Sequence, residues 1–138
     1  MANRFVSIWF RHLRTDWFTL HRPDLRELPF VLVVPDRGRM VIEQANAIAQ
    51  ANSINKGMAL ADARAVLPAL QVRDDQPDLT NKLLNRLAEW CIRFTPTVAV
   101  DFPDGLLLES TGCSHLWGGD EIYLEAIVSK LQILGYCA

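Results

Sequence analysis

The stretch LPFVLVV at positions 28–34 is a near-continuous apolar run. Along a strand, successive side chains point to opposite faces, so such a run is apolar on both faces and must be covered on both. That requirement favours layered strands and helices over a sheet with one wet face. Half of the 138 residues are apolar, which supplies a sizeable core and argues against disorder. No apolar run reaches the length of a membrane span.

The remaining periodicities place elements around that strand. Residues 4–10 read as a buried strand with Phe5, Val6, Ile8 and Phe10 as its apolar set. It runs into a short helix at 12–21, which Pro23 halts. PDRGR is a turn, and MVIE (40–43) is the returning strand. QANAIAQAN reads as a small-residue helix, KGMALADARAVLP as a second helix closed by Pro68, and LQVR (70–73) as a weak strand. The best-defined helix follows DDQPD, with Pro77 suited to its first position and Leu79, Leu83, Leu87, Trp90 and Phe94 at helical spacing. TVAVDFPDGLLLES reads as a hairpin turned at Phe102-Pro103-Asp104-Gly105. A last helix starts near Asp120, uses Tyr123, Ile127, Lys130, Leu131 and Leu134, and stops at Gly135. The order β-α-β-β-α-α-β-α-β-β-α implies an α/β or α+β domain with a mixed sheet. The short elements of 23–75 make that stretch a candidate inserted lobe.

Charge and cysteine usage exclude some functions. The formal charge is −2, with both signs interspersed, whereas a domain that grips nucleic acid unaided is usually basic. The three cysteines, Cys91, Cys113 and Cys137, are odd in number and widely spaced. That argues against a disulfide framework or a zinc site and fits a reducing cytoplasm. The N-terminus MANRFVSIWF lacks the basic region and small-residue cleavage site of a signal peptide.

Three segments, taken in order, resemble the amino-terminal part of the Y-family, or UmuC-type, translesion DNA polymerases. They are RFVSIWFRHLRTDWF followed by RELPFVLVV, then QANAIAQANSINKGMALADARAVLP, then RFTPTVAVDFPDGLLLESTGCSHLWGG. The resemblance covers about residues 4–135. The first and third segments are similar to the family's palm, and the second to its fingers. It implies one UmuC-like domain over 1–138, with a palm-like part at 1–22 and 76–138 and a fingers-like part at 23–75. The wording of LADARAVLP, RFTP and PDGLLLESTGCSHLWGG is closest to the ImuB-like branch. That branch comprises polymerase-like proteins of bacterial DNA-damage mutagenesis that have lost catalysis.

The chemistry of polymerases tests that resemblance. Phosphoryl transfer uses two divalent cations about 3.5–4 Å apart, and Mg²⁺ takes hard carboxylate oxygens. By the resemblance, an active member supplies two aspartates from its first strand and an Asp-Glu pair from the palm hairpin. The matching positions here are Trp9 and Arg11, then Asp104 and Gly105. An indole offers a metal no oxygen, and a guanidinium stays cationic. At about 4 Å and an effective dielectric near 20, one unit charge is worth roughly 4 kcal/mol. Replacing an anion by a cation beside a divalent ion therefore costs more than that. Asp104 is left as a vestige, and positions freed from the metal can take packing or ionic residues. The nucleotide grip is degenerate too. Ala47 and Gln50 stand where the family's fingers present a tyrosine and an arginine, and Arg14 where an aromatic residue screens out ribose. Asn46 is kept, and is read as a backbone support.

The resemblance thus implies a scaffold or adaptor without catalytic residues, metal or nucleotide site, acting in DNA repair and SOS-induced translesion synthesis. Its expected cofactor is none, and its location the cytoplasm, away from membranes. Its expected partners are DNA, weakly bound by this stretch, and three proteins engaged through the full-length molecule. These are the sliding clamp, an error-prone replicative-type polymerase and an accessory mutagenesis protein. One alternative is a divergent active translesion polymerase using Mg²⁺, for which Asp16, Asp101, Asp104 and Glu109 are the acidic candidates. The other is an unrelated α/β binding module. Asp101 and Asp104 otherwise read as a solvated turn, and Glu109 as exposed or ion-paired. Cys113 and His115 are a weak thiol–imidazole candidate. Cys91 reads as core, and His12 and His21 as surface or cap residues. Arg4, Arg11, Arg14, Arg22 and Arg26 are candidates for DNA backbone contacts or for a solvated face balanced by Asp16, Asp24 and Glu27. A full-length member continues with another palm strand, a thumb and a little finger, which are absent here. Without that strand, one sheet edge is expected to lie open and to favour self-association.

Overall fold

A computed structural model describes residues 3–138. In chain order its elements are β1 (Phe5–Trp9), α1 (Leu13–His21), β2 (Phe30–Asp36), β3 (Arg39–Ala45), α2 (Ala47–Ala51), α3 (Leu60–Val66), β4 (Gln71–Asp74), α4 (Leu79–Cys91), β5 (Val98–Asp101), β6 (Gly105–Glu109) and α5 (Asp120–Leu134). The order read from the sequence is reproduced. Two short 3₁₀ turns, Pro23–Leu25 and Ser114–Trp117, are added to it. The chain divides into two units, one formed by the segment up to Leu13 with Asp78–Ala138, the other by Arg14–Pro77.

In the first unit the strands pair in the order β1-β6-β5, antiparallel throughout. Along β6, Leu106 and Leu108 are fully buried while Leu107 between them is exposed, the alternation of a sheet with one covered face. Ile8 and Phe10 turn inward with them, joined by Leu83, Leu84, Leu87 and Cys91 of α4 and Tyr123, Ile127 and Leu131 of α5. α4 packs on β5 and β6. The reading of β1 as a buried strand needs correction, because Phe5 and Trp9 are 56% and 58% exposed. Their positions, odd in register, put them on the opposite face from Ile8. Pro77 also departs from expectation. It lies in a turn, and the helix begins at Leu79 after Asp78, whose side chain makes no capping bond. α5 ends as read, with Gly135 left-handed at φ 101°.

In the second unit the order is β3-β2-β4, with β2 antiparallel to β3 and parallel to β4. The mixed pairing of the fold is here. β2 is central, and all of Phe30, Val31, Leu32 and Val33 are buried. Val31 and Val33 join one cluster with Ile42, Ala45, Ala49, Ile54, Ala63 and Leu70. Phe30 and Leu32 join another with Leu25, against which Phe18 packs. The two-faced burial demanded by LPFVLVV is thus met, at about 1.5–3 kcal/mol for each large side chain. Arg37 and Gly38 form the tight link between β2 and β3, both with positive φ (50° and 81°), the geometry whose twist matches antiparallel strands.

Candidate active site

The sheet of the first unit gathers five of the singled-out positions, Trp9, Arg11, Asp101, Asp104 and Gly105, at one end. Trp9, the last residue of β1, pairs with Gly105, the first of β6, and Gly105 pairs on its other side with Asp101 of β5. The connection between β5 and β6 is therefore Phe102–Asp104, and Gly105 belongs to the strand rather than to the turn. The Phe10 N–H donates to the Asp104 carbonyl at 2.8 Å, which extends the ladder past Trp9 and draws Asp104 against the end of β1. The indole Nε1–H of Trp9 then donates to Asp104 Oδ2 at 2.9 Å. Arg11 Cζ lies 5.5 Å from the centroid of the same indole, within cation–π range. Trp9 is mostly exposed, so it fills no space by packing; its indole engages the Asp104 carboxylate from the side.

Gly105 has a steric reason to be glycine. A Cβ there would sit 2.7 Å from the Ile8 carbonyl oxygen and 3.3 Å from that of Asp101. A glutamate at this position would have to push β1 away. Glu109, the other hairpin carboxylate, stands at the far end of β6 opposite Phe5. It lies four residue steps along the strand from Gly105, about 13 Å, too far to share an ion with Asp104. Asp101 is exposed two strands from Trp9, and Asp16 lies in the other unit.

These groups do not fit a pair of divalent cations. The donor set at the strand end is one carboxylate already accepting from an indole, a guanidinium, and a glycine without space for a side chain. Among the described residues no three His, Cys, Asp or Glu side chains lie together as metal ligands.

Arg14, Ala47 and Gln50, the positions read as a degenerate nucleotide grip, lie in the second unit. Arg14 Nε and Nη2 donate to Asp75 Oδ1 and Oδ2 at 2.7 and 2.9 Å, with side-chain exposures of 11% and 0% for arginine and aspartate. Asp75 Oδ1 also accepts from the Gln76 N–H. Ala47 and Gln50 are exposed on the short helix α2. Asn46, read as a backbone support, caps that helix. Its Oδ1 accepts from the Phe30 and Ala49 N–H groups at 3.1 and 2.9 Å, and its Nδ2 donates to the Leu28 carbonyl at 2.8 Å. Asp75 was not singled out in the sequence, where DDQPD looked like acids leading into a helix. Its only signal was a carboxylate directly after a strand end.

The other candidates separate. Cys91 is buried, and burial raises its thiol to about 11. Cys113 is half-buried and His115 exposed, and no bond joins them among the described residues. His21 ends α1 with Nδ1 2.9 Å from the Trp17 carbonyl oxygen. Of the five N-terminal arginines, Arg4 pairs with Asp120, Arg14 with Asp75 and Arg22 with Asp24. The Asp24 carboxyl is held below its ordinary value by the Arg22 hydrogen bond.

Residues 8–134 match the sequence model of the impB/mucB/samB family. The chain belongs to that family. Protein ImuB from two strains of Caulobacter vibrioides is 45% identical over 79 residues, which are 57% of this chain and 17% of that protein. The chain therefore spans under a fifth of the curated relatives it matches. DinB from Sulfolobus solfataricus superposes with a TM-score of 0.79 at 17% identity, over 96% of this chain and 40% of that one. The insertion ternary complex of Dbh DNA polymerase gives 0.82 at 16% identity, over the same shares. At such identities the likeness establishes the Y-family polymerase fold and nothing finer. The family match removes the unrelated binding module, and the resemblance to UmuC-type polymerases holds. No helix among the described residues is long and apolar enough to cross a membrane.

Proposed function

We propose that this impB/mucB/samB-family chain is a catalytically silent Y-family polymerase fold, a scaffold or adaptor in DNA-damage translesion synthesis and mutagenesis. The observation that carries this reading is the Trp9 indole hydrogen-bonded to the one remaining metal-side carboxylate, Asp104. Gly105, closed against the Ile8 carbonyl, supports it, because it bars the missing glutamate. We read the first unit as the palm-like part and the second as the fingers-like part, although residues 14–22, which the resemblance gave to the palm-like part, belong to the second unit. The similarity to Protein ImuB supports a place in an SOS-type mutagenesis complex in the cytoplasm. There the full-length protein would engage the sliding clamp, an error-prone replicative-type polymerase and an accessory mutagenesis protein. The likeness to Dbh DNA polymerase supports DNA as a further partner. With a charge of −2, this stretch would add little to the grip.

Titration with Mg²⁺ and Mn²⁺ tests the proposal. The melting temperature is expected to stay unchanged in millimolar metal, and a primed template with nucleotides is expected not to extend. Metal-dependent stabilisation or extension that disappears in Asp104→Ala would establish instead a divergent polymerase.

A further inference from the structure

The sheet of the second unit is built within residues 30–74, and its edge strand β3 is covered over only part of its length. The Ile42 N–H donates to the Met58 carbonyl at 2.9 Å, and the Gly57 N–H to the Ile42 carbonyl at 2.8 Å. Ile42 thus turns its main-chain groups away from β2. Every second residue of an antiparallel ladder does the same, which turns the Met40 N–H outward as well. Pro35, opposite Met40 on β2, has no N–H to exchange with it, in keeping with that alternation. The covering segment leaves the edge at Ala59, which is bridged to Val41, and runs on into α3. The Met40 N–H has no partner among the described residues.

A groove of about 410 Å³ opens at that place, lined by Arg39, Met40, Ala59, Leu60, Asp62 and Arg64. Met40 and Leu60 are half-buried and form its apolar wall. Arg39 and Arg64 are exposed, and neither guanidinium has a hydrogen bond or ion pair among the described residues. An outward main-chain donor, an aliphatic wall and two unpaired cations together are the complement of an extended acidic peptide. Its carbonyl meets the donor, an aliphatic side chain meets the wall, and a carboxylate meets the guanidiniums. A nucleic-acid strand fits less well. No aromatic side chain lines the groove for a base to stack on, and Asp62 in the same wall opposes a run of phosphates. We propose that the groove takes an extended, acidic segment of a partner protein, held by the Met40 N–H, Arg39 and Arg64. This gives the second unit a contact of its own, whether or not the first unit holds a metal.

NMR of the nitrogen-labelled full chain tests this, with a short peptide of alternating aspartate and leucine as the probe. Binding is expected with a Kd of about 10–100 μM. The shifted amides should be those of Arg39, Met40 and residues 59–64, and the Met40 N–H, open to exchange in the free chain, should become protected. Arg39→Gln and Arg64→Gln are each expected to weaken binding about threefold to tenfold at an unchanged melting temperature. Asp62→Asn should tighten it, since it removes a repelling charge. The same peptide with asparagine in place of aspartate should bind about tenfold more weakly or worse. Failure to bind at about 1 mM peptide overturns the proposal. So does binding that neither arginine substitution weakens, or a shift pattern away from the groove. Oligo(dT) that moves the same amides at a lower concentration than the peptide would assign the groove to nucleic acid and overturn it too.

Discussion

Removing the carboxylate of Asp75 is the perturbation whose size the structure fixes best. Asp75 holds Arg14 by two hydrogen bonds of 2.7 and 2.9 Å, with its own side chain wholly covered. Arg14 opens the second unit and Asp75 stands two residues before its end, so the pair ties both termini of that unit. Asp75→Ala takes a bidentate carboxylate from a guanidinium that is nine-tenths buried. Such losses typically cost about 3–5 kcal/mol. A Coulomb estimate at about 4 Å and an effective dielectric near 20 gives roughly 4 kcal/mol, in agreement. Against a domain stability of about 5–15 kcal/mol that is a large fraction. With an m-value of about 1–3 kcal/mol per molar urea, the midpoint should fall by roughly 2 M. Burial also shields the pair from salt, so the loss should be nearly the same at low and high ionic strength. Arg14 has further contacts, which makes the aspartate the cleaner probe. Replacing both, as Arg14→Leu with Asp75→Leu, should recover most of the loss, because neither charge is then stranded. A loss below about 1 kcal/mol for Asp75→Ala, or no recovery in the double variant, would refute the reasoning.

Three further substitutions have defined outcomes. Gly105→Glu, which restores the family's carboxylate, should lower stability by about 1–3 kcal/mol in a thermal melt and still confer no Mg²⁺ binding, since its Cβ meets the Ile8 carbonyl. Asn46→Ala should cost about 2–3 kcal/mol by chemical denaturation, because it strips the cap of α2 and strands the buried Phe30 N–H. Cys91 should make the protein sensitive to alkali. Its thiol is raised in the fold from 9.0 to about 11, so the stabilisation is complete below pH 9 and lost as pH climbs through 11. Cys91→Ala should flatten that part of the stability–pH curve, and in the wild type a thiol reagent at pH 8 should reach the exposed Cys137 well before Cys91.

The sequence was most legible where one physical demand dominated. LPFVLVV has no polar residue to place in water, so a central strand buried on both faces was the only economical reading, and β2 is that strand. β1 was less legible for the opposite reason. FVSIW carries four apolar residues, and composition alone does not say that its odd positions face outward on a sheet covered on one side. Pro77 was misplaced because its preference for a first helical position is equally satisfied by a turn just before one. The strand-end site could be located from the sequence because chain order and hairpin chemistry fix which backbone positions meet, and Trp9, Asp104 and Gly105 do meet. What the side chains do there was not readable. The indole donates to the carboxylate instead of packing beneath it, and the partner of Arg14 lies 61 residues away in a segment whose acids looked like helix dressing.

The persistence of that platform follows from which forces build it. Trp9 is held opposite Gly105 by main-chain bonding on either side, the Phe10 N–H to the Asp104 carbonyl among it, and the inward anchors are Ile8, Phe10, Leu106 and Leu108. None of these depends on a metal, so the outward side chains at the strand ends are free to change while the geometry stays. Acids brought together without cations would repel one another by roughly 1 kcal/mol in water and more near the protein surface. On the proposed reading, in which metal binding is lost, exchanging them for an indole donor and a guanidinium removes that repulsion and gives the remaining carboxylate a partner. On this argument Asp104→Asn should change stability by less than about 1 kcal/mol, since the Trp9 N–H can still bond to the amide oxygen and the site is largely exposed. A large loss in that variant, or a gain in stability from Trp9→Asp, would refute this argument.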